Sequence, residues 1–494
     1  MSQYAGQQDH LSFSISRSAL RGRILIPKYY DPELAEAASF ASGDYDLRLL
    51  SELLLPGKAG SRLGSWIRRE HYGTGAIPFV RTSDLNGWRL RPDYKKGVSS
   101  EVYNKVAKAQ DVQAGDILMV AHGTYLVGSV AIVTPSDLPL VLQDHVFRLR
   151  LAPSPPDYGE APIDTWLVLA ALSTQFVRRQ IRARQFSADI IDKVGERHLE
   201  VRLPIPRDPA VRQRISVAAK EIVEGQTKSR SVIRHLLSTD LRMTRERADT
   251  RHGFSVSRSA VKGRIMIPKY YDPDLAGAIK AAVEQTQKPW VSIGYLIKHG
   301  LLTATTGIEV GKMAYGTGEI PFIRTTDIAE LELKADPRQG ISKDVYDRYA
   351  AKASLADGDV IVIRDGTYLV GSSALVSSKD LPAIICGGIY RLRSTTADVL
   401  SPAMLLGFLN LPIVRWQMRA RQFTRDVIDT LGYRLFEVMV PDPTSKFASD
   451  LGAKLSSEML VKANLRSRIL ETVGSIEPSV PPRSRNRPGW SMRG

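Results

Sequence analysis

Residues 13–32 read FSISRSALRGRILIPKYYDP, and residues 254–273 read FSVSRSAVKGRIMIPKYYDP. Further blocks recur in the same order: GTGAIPFVRTSDL (73–85) returns as GTGEIPFIRTTDI (316–328), AGDILMVAHGTYLVGS (114–129) as DGDVIVIRDGTYLVGS (357–372), and RARQF (182–186) as RARQF (419–423). The offset stays near 240 residues, far longer than the roughly 20–50-residue period of stacked repeat units. Each copy is therefore predicted to be a whole domain.

The two copies have the same predicted order of elements. After an opening strand pair, the first copy has β-rich segments at Asp116–Ala121 and Tyr125–Val133, joined by a turn at residues 122–123. A helix over Thr165–Arg184 and a strand over His198–Pro204 follow. The corresponding helix and strand of the second copy are Met404–Arg421 and Leu435–Pro441.

A long amphipathic helix is predicted after each copy. Apolar residues recur at three- and four-residue steps from Ile215 to Leu236 and again from Phe447 to Ile469. Asp208 followed by Pro209 is a plausible start for the first helix. We expect the two helices to pair antiparallel as a rod between the copies, with packing of each helix on its own domain as the alternative.

The predicted fold class is α/β (mixed α+β), with two tandem homologous domains and two pairing helices. The predicted boundaries are 1–206 for the first domain, 207–245 for its helix and linker, 246–441 for the second domain, 442–477 for its helix, and 478–494 for a disordered basic tail.

The composition indicates a folded protein with an anionic partner. Hydrophobic residues make up 43% of the 494 residues and charged residues 24%, which is ordinary for a globular chain. Lys and Arg exceed Asp and Glu to give a formal net charge of +16. Nucleic acid is the commonest partner of such a chain, although a membrane-surface protein or one beside the ribosome would fit the charge equally well.

Several classes of protein lack support in the sequence. Cys386 is the only cysteine, so an internal disulfide or a zinc site built on several cysteines is excluded. The N-terminal MSQYAGQQDH lacks the features of a signal peptide, and no apolar run approaches the roughly 18 residues of a membrane span. A cytoplasmic location is expected.

The familiar catalytic motifs are missing as well. The chain has no GxxxxGK[ST] phosphate loop and no Asn-Pro-Pro-aromatic or Asp-Pro-Pro-aromatic tetrapeptide. The acid and lysine clusters after Asp84 and Asp327 resemble a nuclease metal site, but they are out of register between the copies. We therefore expect no catalytic residues, metal or cofactor of the chain's own, while a catalytic site confined to one copy stays open.

The order of motifs resembles the target-recognition domains of type I restriction–modification specificity (S) subunits. The motifs are Ile77–Leu85 and Ile320–Ile328, Gly115–Leu118 and Gly358–Ile361, and Leu203–Pro209 and Val440–Pro443, each followed by the rest of its copy and a long helix. The chain departs from the family's pattern in its IPKYYDP block, which lies ahead of the usual start, and in the lead into its first long helix.

The resemblance implies two recognition domains held apart by antiparallel helices, each reading one half of a split double-stranded DNA target. It also implies no activity of the chain alone, and docking on adenine-methyltransferase subunits, expected to be two, which carry S-adenosylmethionine and can recruit a motor-nuclease. The partner is an ordinary type I methyltransferase or one from a related phage-defence system. The alternatives from other classes are a protein-interaction scaffold of a defence complex and a nuclease with an unrecognised site.

Residues identical in both copies are expected to serve the fold and phosphate contacts, and residues that differ inside identical frames are expected to read bases. The predicted DNA-binding residues of the first copy are Arg81, Thr82, Ser83, His122, Thr124, Arg178, Arg182, Arg184 and Gln185. Those of the second copy are Arg324, Thr325, Thr326, Arg364, Asp365, Thr367, Arg415, Arg419, Arg421 and Gln422. The predicted partner-binding residues are Ile215, Ile222, Ile233, Leu451, Leu455 and Met459.

Several of these assignments have structural alternatives. Arg81 and Arg324 either contact DNA or pair with the aspartate three residues later to fix a loop. The arginine-rich helix ends either contact phosphate or form a solvated face. The divergent pairs 121–122 and 364–365 either read bases or form an ordinary turn. Tyr29-Tyr30 and Tyr270-Tyr271 either stack on bases or pack at a domain edge or against a partner.

Overall fold

The computed structural model consists of two copies of one mixed α/β module, each followed by a long helix, which confirms the predicted fold class. The structure describes residues 15–20, 27–30, 34, 38–39, 41 and 43–478, apart from 92–96, 124–125, 188–191, 240–252, 262, 264, 335–338, 367–368 and 426–427. Thr124, Thr367, most of the predicted linker and nearly all of the predicted basic tail lie outside the described residues.

The first module and its helix run from residue 15 to residue 239. The strands are β1 Tyr45–Leu49, β2 Ser61–Leu63, β3 Phe79–Val80, β4 Leu85–Asn86, β5 Arg89–Leu90, β6 Ile117–Val120, β7 Val130–Ile132, β8 Val141–Leu142, β9 Val146–Leu149, β10 Phe186–Ser187, β11 Asp192–Lys193 and β12 Arg202–Pro206. The helices are α1 Leu50–Leu53, α2 Gly57–Gly60, α3 Ser100–Gln110, α4 Thr165–Leu172, α5 Gln175–Ala183 and α6 Pro209–Thr239.

The second module repeats this order. The strands are β13 Val291–Ser292, β14 Leu302–Thr306, β15 Ile320–Ile323, β16 Ile328–Ala329, β17 Glu332–Leu333, β18 Gly340–Ile341, β19 Val360–Ile363, β20 Ser373–Leu375, β21 Ile384–Ile385, β22 Ile389–Ser394, β23 Phe423–Arg425, β24 Ile428–Thr430 and β25 Met439–Val440. The helices are α7 Pro273–Thr286, α8 Ile293–Lys298, α9 Lys343–Ala353, α10 Pro402–Asn410, α11 Pro412–Ala420 and α12 Lys446–Gly474.

Each module is built on a four-stranded antiparallel sheet with the same topology. The strand order is β2-β9-β6-β7 in the first module and β14-β22-β19-β20 in the second. Every residue of β6 and β19 is buried, which is why both read as continuous apolar runs. The sheet fixes the position of the loops that leave its strands.

The predicted helices over residues 165–184 and 404–421 each divide into two. Thr174 ends α4 and starts α5, because its hydroxyl accepts a hydrogen bond from the backbone N–H of Val177 at 3.3 Å. In the second module Pro412, which has no backbone N–H, begins α11. The prediction of single helices was wrong because apolar periodicity continues across these breaks.

Two other local predictions also need correction. The strand predicted from His198 begins at Arg202, after a 3-10 turn over Gly195–Glu200. The opening segments contain 3-10 turns over Pro27–Tyr30 and Pro268–Tyr271, and no strand among the described residues before Tyr45. Proline fixes φ near −65°, which suits the start of such turns.

The two long helices pair antiparallel, as predicted. Arg468 contacts Glu221 at 2.7 Å, and Ser229 donates a hydrogen bond to Glu458 at 2.9 Å, so residue numbers rise along α6 as they fall along α12. A Cβ on Gly225 would lie 2.9 Å from the side chain of Leu465, so the helices are close at this point. The Asp208 carboxylate accepts the Ala210 N–H at 2.8 Å and caps α6.

Each helix of the rod begins on its own module and ends on the other. The start of α6 packs in the core of the first module and its end, at Ile233, in that of the second, while Ile469 of α12 joins the first core. The six predicted partner-binding residues lie inside these cores, none more than 9% exposed: Ile215, Ile222, Ile233, Leu451, Leu455 and Met459. Their assignment to a partner was wrong, because the chain itself covers them.

Candidate nucleic-acid interface

Three segments of the first module meet where strand β6 ends. The backbone N–H of Ala121 donates to the carbonyl of His145 at 2.9 Å, which places the turn before β9 beside the strand end. On the other side, His122 forms a β-bridge with Lys193 at the end of the ribbon β10–β11. The connection from β6 to β7 spans residues 121–129, so it is a loop rather than the tight hairpin turn that the sequence predicted.

The second module has the same backbone arrangement. Arg364 N–H donates to the carbonyl of Gly388 at 2.8 Å, and Asp365 forms a β-bridge with Thr430. The glycine after each pair, Gly123 or Gly366, has a φ of 124° or 137°. Side chains with a Cβ rarely adopt this conformation, so both copies require glycine at this point of the loop.

The RARQF motif holds this arrangement in place. The Gln185 side-chain amide donates to the carbonyl of Gly123 at 2.5 Å, and that of Gln422 donates to the Asp429 carboxylate at 2.7 Å. Both glutamines are buried, at 4% and 8% exposure. They were predicted to contact DNA; the structure instead makes them positioning residues of the loop.

The arginine before each of these glutamines, Arg184 or Arg421, anchors the PKYY turn near the start of its copy. Arg184 lies 3.6 Å from Glu200 and faces the ring of Tyr29, whose hydroxyl donates to the same glutamate at 2.6 Å. Arg421, Glu437 and Tyr270 form the same contacts in the second copy: Arg421 lies 3.6 Å from Glu437 and 5.4 Å from the centre of the Tyr270 ring.

These two clamps, Arg184–Glu200–Tyr29 and Arg421–Glu437–Tyr270, give their residues a structural role, and contact of the arginines with DNA stays a prediction. Burial and the hydrogen bond to Glu437 raise the pKa of Tyr270 to about 12. The arginines are held by these contacts, with 16% and 14% of their side chains exposed. Arg184 and Arg421, predicted to bind DNA, therefore support the fold, and Tyr29 and Tyr270 pack at the module edge.

The remaining arginines of these helices divide into interior and exposed pairs. Arg178 is 8% exposed, and its counterpart Arg415 donates to the Ser372 hydroxyl at 3.4 Å inside the module. Arg182 and Arg419 are exposed. The contact of Arg182 and Arg419 with phosphate stays a prediction, which their exposure permits.

The predicted residues 81–83 and 324–326 lie in equivalent 3-10 turns. Asp84 caps the first turn by accepting the backbone N–H of Arg81 at 2.9 Å, and Asp327 accepts that of Arg324 at 2.8 Å. The Arg81 guanidinium is 3.8 Å from Asp84, and its side chain is 25% exposed. Asp84 and Asp327 therefore hold these turns through hydrogen bonds to the backbone.

These 3-10 turns contact both the other module and the loop that follows β6 or β19. The backbone carbonyl of Ser83 contacts the other module, accepting from Lys334 at 2.5 Å. A Cβ on Gly388 would lie 3.4 Å from the Thr325 methyl group and 3.7 Å from Asp365. Thr325 is therefore next to the loop, and it is half-buried in its turn, as are Thr82 and Thr326.

The side chains gathered around the first loop differ from those around the second. We call His122, His145 and Lys193 the first variable site, and Asp365, Gly388 and Thr430, which occupy the corresponding positions, the second variable site. The frame that carries them is the same in both modules, so the difference lies in the side chains.

The first variable site is built from two histidines and a lysine. The rings of His122 and His145 meet edge to face with centroids 4.7 Å apart. Burial, then the nearby His145 and Lys193, lower the pKa of His122 to about 4, so its ring is neutral at pH 7. Its Nδ1 is buried without a hydrogen-bond partner among the described residues. A neutral imidazole can donate to or accept from a base edge.

The second variable site carries an acid already engaged within the chain. Arg364 donates to the Asp365 carboxylate at 2.9 and 2.6 Å, and Thr430 donates to its other oxygen at 2.6 Å. Arg364 also lies 5.7 Å from the centre of the Tyr390 ring. The loop thus presents a preorganised guanidinium–carboxylate pair where the first module presents the neutral imidazole of His122.

Residues outside the sequence prediction border both sites. Ser65 N–H donates to Leu142 at 2.9 Å and Ile308 N–H to Ile385 at 3.0 Å, so the dissimilar stretches before the GTG blocks run beside the 144–145 and 387–388 turns. Trp66, in the first stretch, is 69% exposed, and Tyr433, in the turn after β24, is 81% exposed. Divergence within a repeated frame was the signal that pointed to His122, and it applies equally to His145, Lys193 and Trp66.

No group of three His, Cys, Asp or Glu side chains in the part of the chain that the structure describes could hold a metal ion. No helix among those residues is both long and apolar enough to cross a membrane.

Two copies of one buried frame that present different side chains define a two-module protein. No family model and no curated protein matches the chain. Among solved structures, it is similar to the type I restriction–modification S subunit from M. genitalium, with 11% identity and a TM-score of 0.35 over 88% of this chain and 97% of that chain.

The chain is also similar to the HsdS subunit from Thermoanaerobacter tengcongensis, with 14% identity and a TM-score of 0.26 over 88% of this chain and 96% of that chain. A third solved structure is described as the structural basis underlying complex assembly and conformational transition of the type I R-M system. It is similar to this chain with 14% identity and a TM-score of 0.25, over 87% of this chain and 98% of that chain.

Proposed function

We propose that this chain is a sequence-specific double-stranded DNA reader that acts as the specificity subunit of a type I restriction–modification system or a related phage-defence system. The observation that carries the proposal is the pair of variable sites, which present different side chains on one frame. Each module reads one half of a bipartite target. The net charge of +16 supplies attraction to the phosphate backbone.

Contacts to DNA divide by chemistry. Arg182 and Arg419, exposed at equivalent positions, bind phosphate and carry no sequence information. In the first module the neutral His122 donates to or accepts from a base edge. In the second, the Arg364–Asp365 pair offers guanine a donor fork or cytosine an acceptor.

The chain itself is non-catalytic in this proposal. It directs two adenine-methyltransferase subunits, which bind S-adenosylmethionine, to the target, and a motor-nuclease subunit joins the complex for restriction. Because the seam of the rod is buried, we assign docking of the methyltransferase to the outer side of α12, where Leu460 is 71% and Leu470 59% exposed.

The docking assignment is tested by Leu460→Asp with Leu470→Asp. Charges at exposed positions cost little stability, so the melting temperature should stay unchanged while co-purification with the methyltransferase falls. Normal assembly by the folded variant would place docking elsewhere.

The bipartite function is tested by duplex binding of the full chain. A duplex carrying both half-sites at the selected spacing should bind at least tenfold more tightly than either half-site alone, because the second contact is intramolecular. Insertion of two or three base pairs between the half-sites should remove most of that gain. Affinity that is unaffected by the insertion would contradict a bipartite reader, and sequence-independent binding would favour the scaffold.

A further inference from the structure

The two modules contact each other directly where they meet the rod. Arg91 of the first module donates to the backbone carbonyl of Ile328, and Lys334 of the second donates to that of Ser83 at 2.5 Å. The two donors occupy equivalent positions of the repeat, whereas their acceptors lie two repeat positions apart. The junction between the modules is therefore only approximately symmetric in its backbone contacts.

A ring of charged side chains lies at this junction, and five of its members line a small cavity: Arg89, Glu330, Glu332, Lys462 and Arg466. The first half of the chain, its module with α6, supplies Arg89, Asp137 and Arg230, and the second half, its module with α12, supplies Glu330, Glu332, Asp380, Lys462 and Arg466. None of the eight side chains is more than 19% exposed. Buried charges require counterions close by.

One ion pair in this ring crosses between the halves. Arg89 lies 3.5 Å from Asp137 and donates to the Thr227 hydroxyl at 2.6 Å, both within the first half. Arg230 lies 3.9 Å from the same aspartate and binds Glu330 of the second half, with one nitrogen–oxygen distance of 3.2 Å. Asp137 is thus shared by two arginines, and Glu330 supplies the additional acid.

In the second half, the acidic side chains of the ring outnumber the basic ones. Arg466 contacts Asp380 at 2.8 Å, and Lys462 lies 3.3 Å from Glu332 and 3.9 Å from Glu330. Two cations face three acids here. The Arg230–Glu330 pair connects the half that has surplus positive charge with the half that has surplus negative charge.

The imbalance comes from three positions at which the repeat diverges. Arg230 and Asp137 have like-charged counterparts, Arg466 and Asp380. By contrast, Gly87, Arg89 and Gln226 of the first half stand where the second half has Glu330, Glu332 and Lys462. Gln226 donates to the Gly87 carbonyl at 2.9 Å, which marks the same place in the rod as the Lys462–Glu330 contact.

Glu330 occupies a left-handed backbone conformation that its counterpart Gly87 adopts more easily. Gly87 and Glu330 have φ angles of 51° and 53°, each as the first residue of a two-residue turn between short strands. Glycine suits this left-handed conformation, and a side chain with a Cβ disfavours it. Glutamate occupies the turn in the second half against that preference, where it binds both Arg230 and Lys462.

We infer that this junction is an interaction surface that accepts only the unlike half of the chain. At the three divergent positions the first half carries a formal charge of +1, from Arg89, and the second half a formal charge of −1, from Glu330, Glu332 and Lys462, so these charges cancel only between unlike halves. Two first halves would bring two such positive charges together, and two second halves two such negative charges. The pairing rule does not depend on what either module reads.

The test is an exchange of junction charges in the full chain. One variant gives the first half the residues of the second: Gly87→Glu, Arg89→Glu and Gln226→Lys. The reciprocal variant carries Glu330→Gly, Glu332→Arg and Lys462→Gln. A third variant combines all six substitutions, which mirrors the ring and restores neutrality. Lys446→Glu and Glu101→Lys, at side chains 89% and 77% exposed, are controls with the same net-charge change as the two triple variants.

Each triple variant should lower the melting temperature by roughly 5 °C or more, since it leaves uncompensated buried charge, and the controls should change it little. The six-fold variant should recover more than half of the summed loss. Two outcomes would overturn the inference: losses that simply add in the six-fold variant, or triple variants as stable as the controls. If a triple variant does not fold, folding of the six-fold variant supports the inference, and its failure to fold overturns it.

Discussion

The two variable sites show how one scaffold presents two different chemistries. In the first, the His122 and His145 rings meet edge to face beside an exposed Lys193, and the depressed pKa of His122 keeps its ring neutral at pH 7. In the second, Asp365 is bound by Arg364 and Thr430. The residues that hold the two loops, by contrast, are the same in both modules.

This difference separates specificity from scaffold. The RARQF glutamines, the Tyr–Glu–Arg clamps and the loop glycines occupy equivalent places and are buried or held by hydrogen bonds. Changes to them should affect folding or loop position, whereas changes in the variable sites should affect chiefly what is read.

The largest effect is expected from charges placed in the rod core. Ile222→Asp with Leu455→Asp buries two unpaired carboxylates at positions with 0% exposure, which costs several kcal/mol, about 3 or more for each site. The variant should unfold or melt far below the parent in calorimetry. Val217→Asp, on the same helix as Ile222 but 44% exposed, is the control. A double variant that melts like this control would show that the rod core does not carry stability.

Removal of the loop support in one module should affect that module alone. Gln185→Leu leaves the Gly123 carbonyl without its 2.5 Å donor, a loss of about 1–3 kcal/mol for an unsatisfied buried group. Binding to the first half-site should weaken while the second is read normally, and Gln422→Leu should do the reverse. Equal losses at both half-sites would show that the modules are not independent readers.

The exposed helix arginines should act on all sequences alike. Arg182→Ala or Arg419→Ala should lower affinity severalfold and reduce the slope of log affinity against log salt by about 1. Sequence preference, measured on a randomised duplex library, should stay the same. Arg214→Ala, at an exposed arginine on the long helix α6, is the control. A changed preference would move Arg182 or Arg419 from the phosphate-binding set to the base-reading set.

The smallest effect concerns pH. Since burial lowers the pKa of His122 to about 4, the unfolded chain, with an ordinary histidine pKa near 6.5, binds the proton more readily. His122 should therefore cost the folded chain stability as the pH falls from about 6.5 towards 4. The melting temperature should fall less between pH 7 and pH 5 in His122→Gln than in the parent. Identical pH profiles for His122→Gln and the parent would contradict a depressed pKa.

The sequence predicted most of the architecture because the duplication doubles each signal. The repeated blocks, the antiparallel rod and the cap at Asp208 are all present. The break between α4 and α5 was missed because its cause is a single capping threonine, Thr174, inside an apolar run. The rod residues were assigned to a partner because apolar periodicity does not reveal whether a helix face is covered by the chain itself or by another protein.

The site was predicted in part. Divergence inside an identical frame pointed to His122 and Asp365, which lie at the centre of the variable sites. Identity of a residue in both copies did not distinguish a phosphate contact from a role in the fold. For Gln185 and Arg184, the hydrogen bond to Gly123 and the contact with Glu200 give a role in the fold. His145 and Lys193 were missed because their proximity to the loop depends on pairing between segments distant in sequence.

The most direct measurement is a binding profile, over a randomised duplex library, of a variant that carries the second variable site on the first module. It combines Ala121→Arg, His122→Asp, His145→Gly and Lys193→Thr. The account predicts that only the first half-site preference changes, by roughly 1–3 kcal/mol at the affected base pairs, and that it moves towards the second half-site. Unchanged preferences at both half-sites, in a variant with the parent's melting temperature, would contradict the account and would place base reading in the dissimilar stretches 57–71 and 301–314.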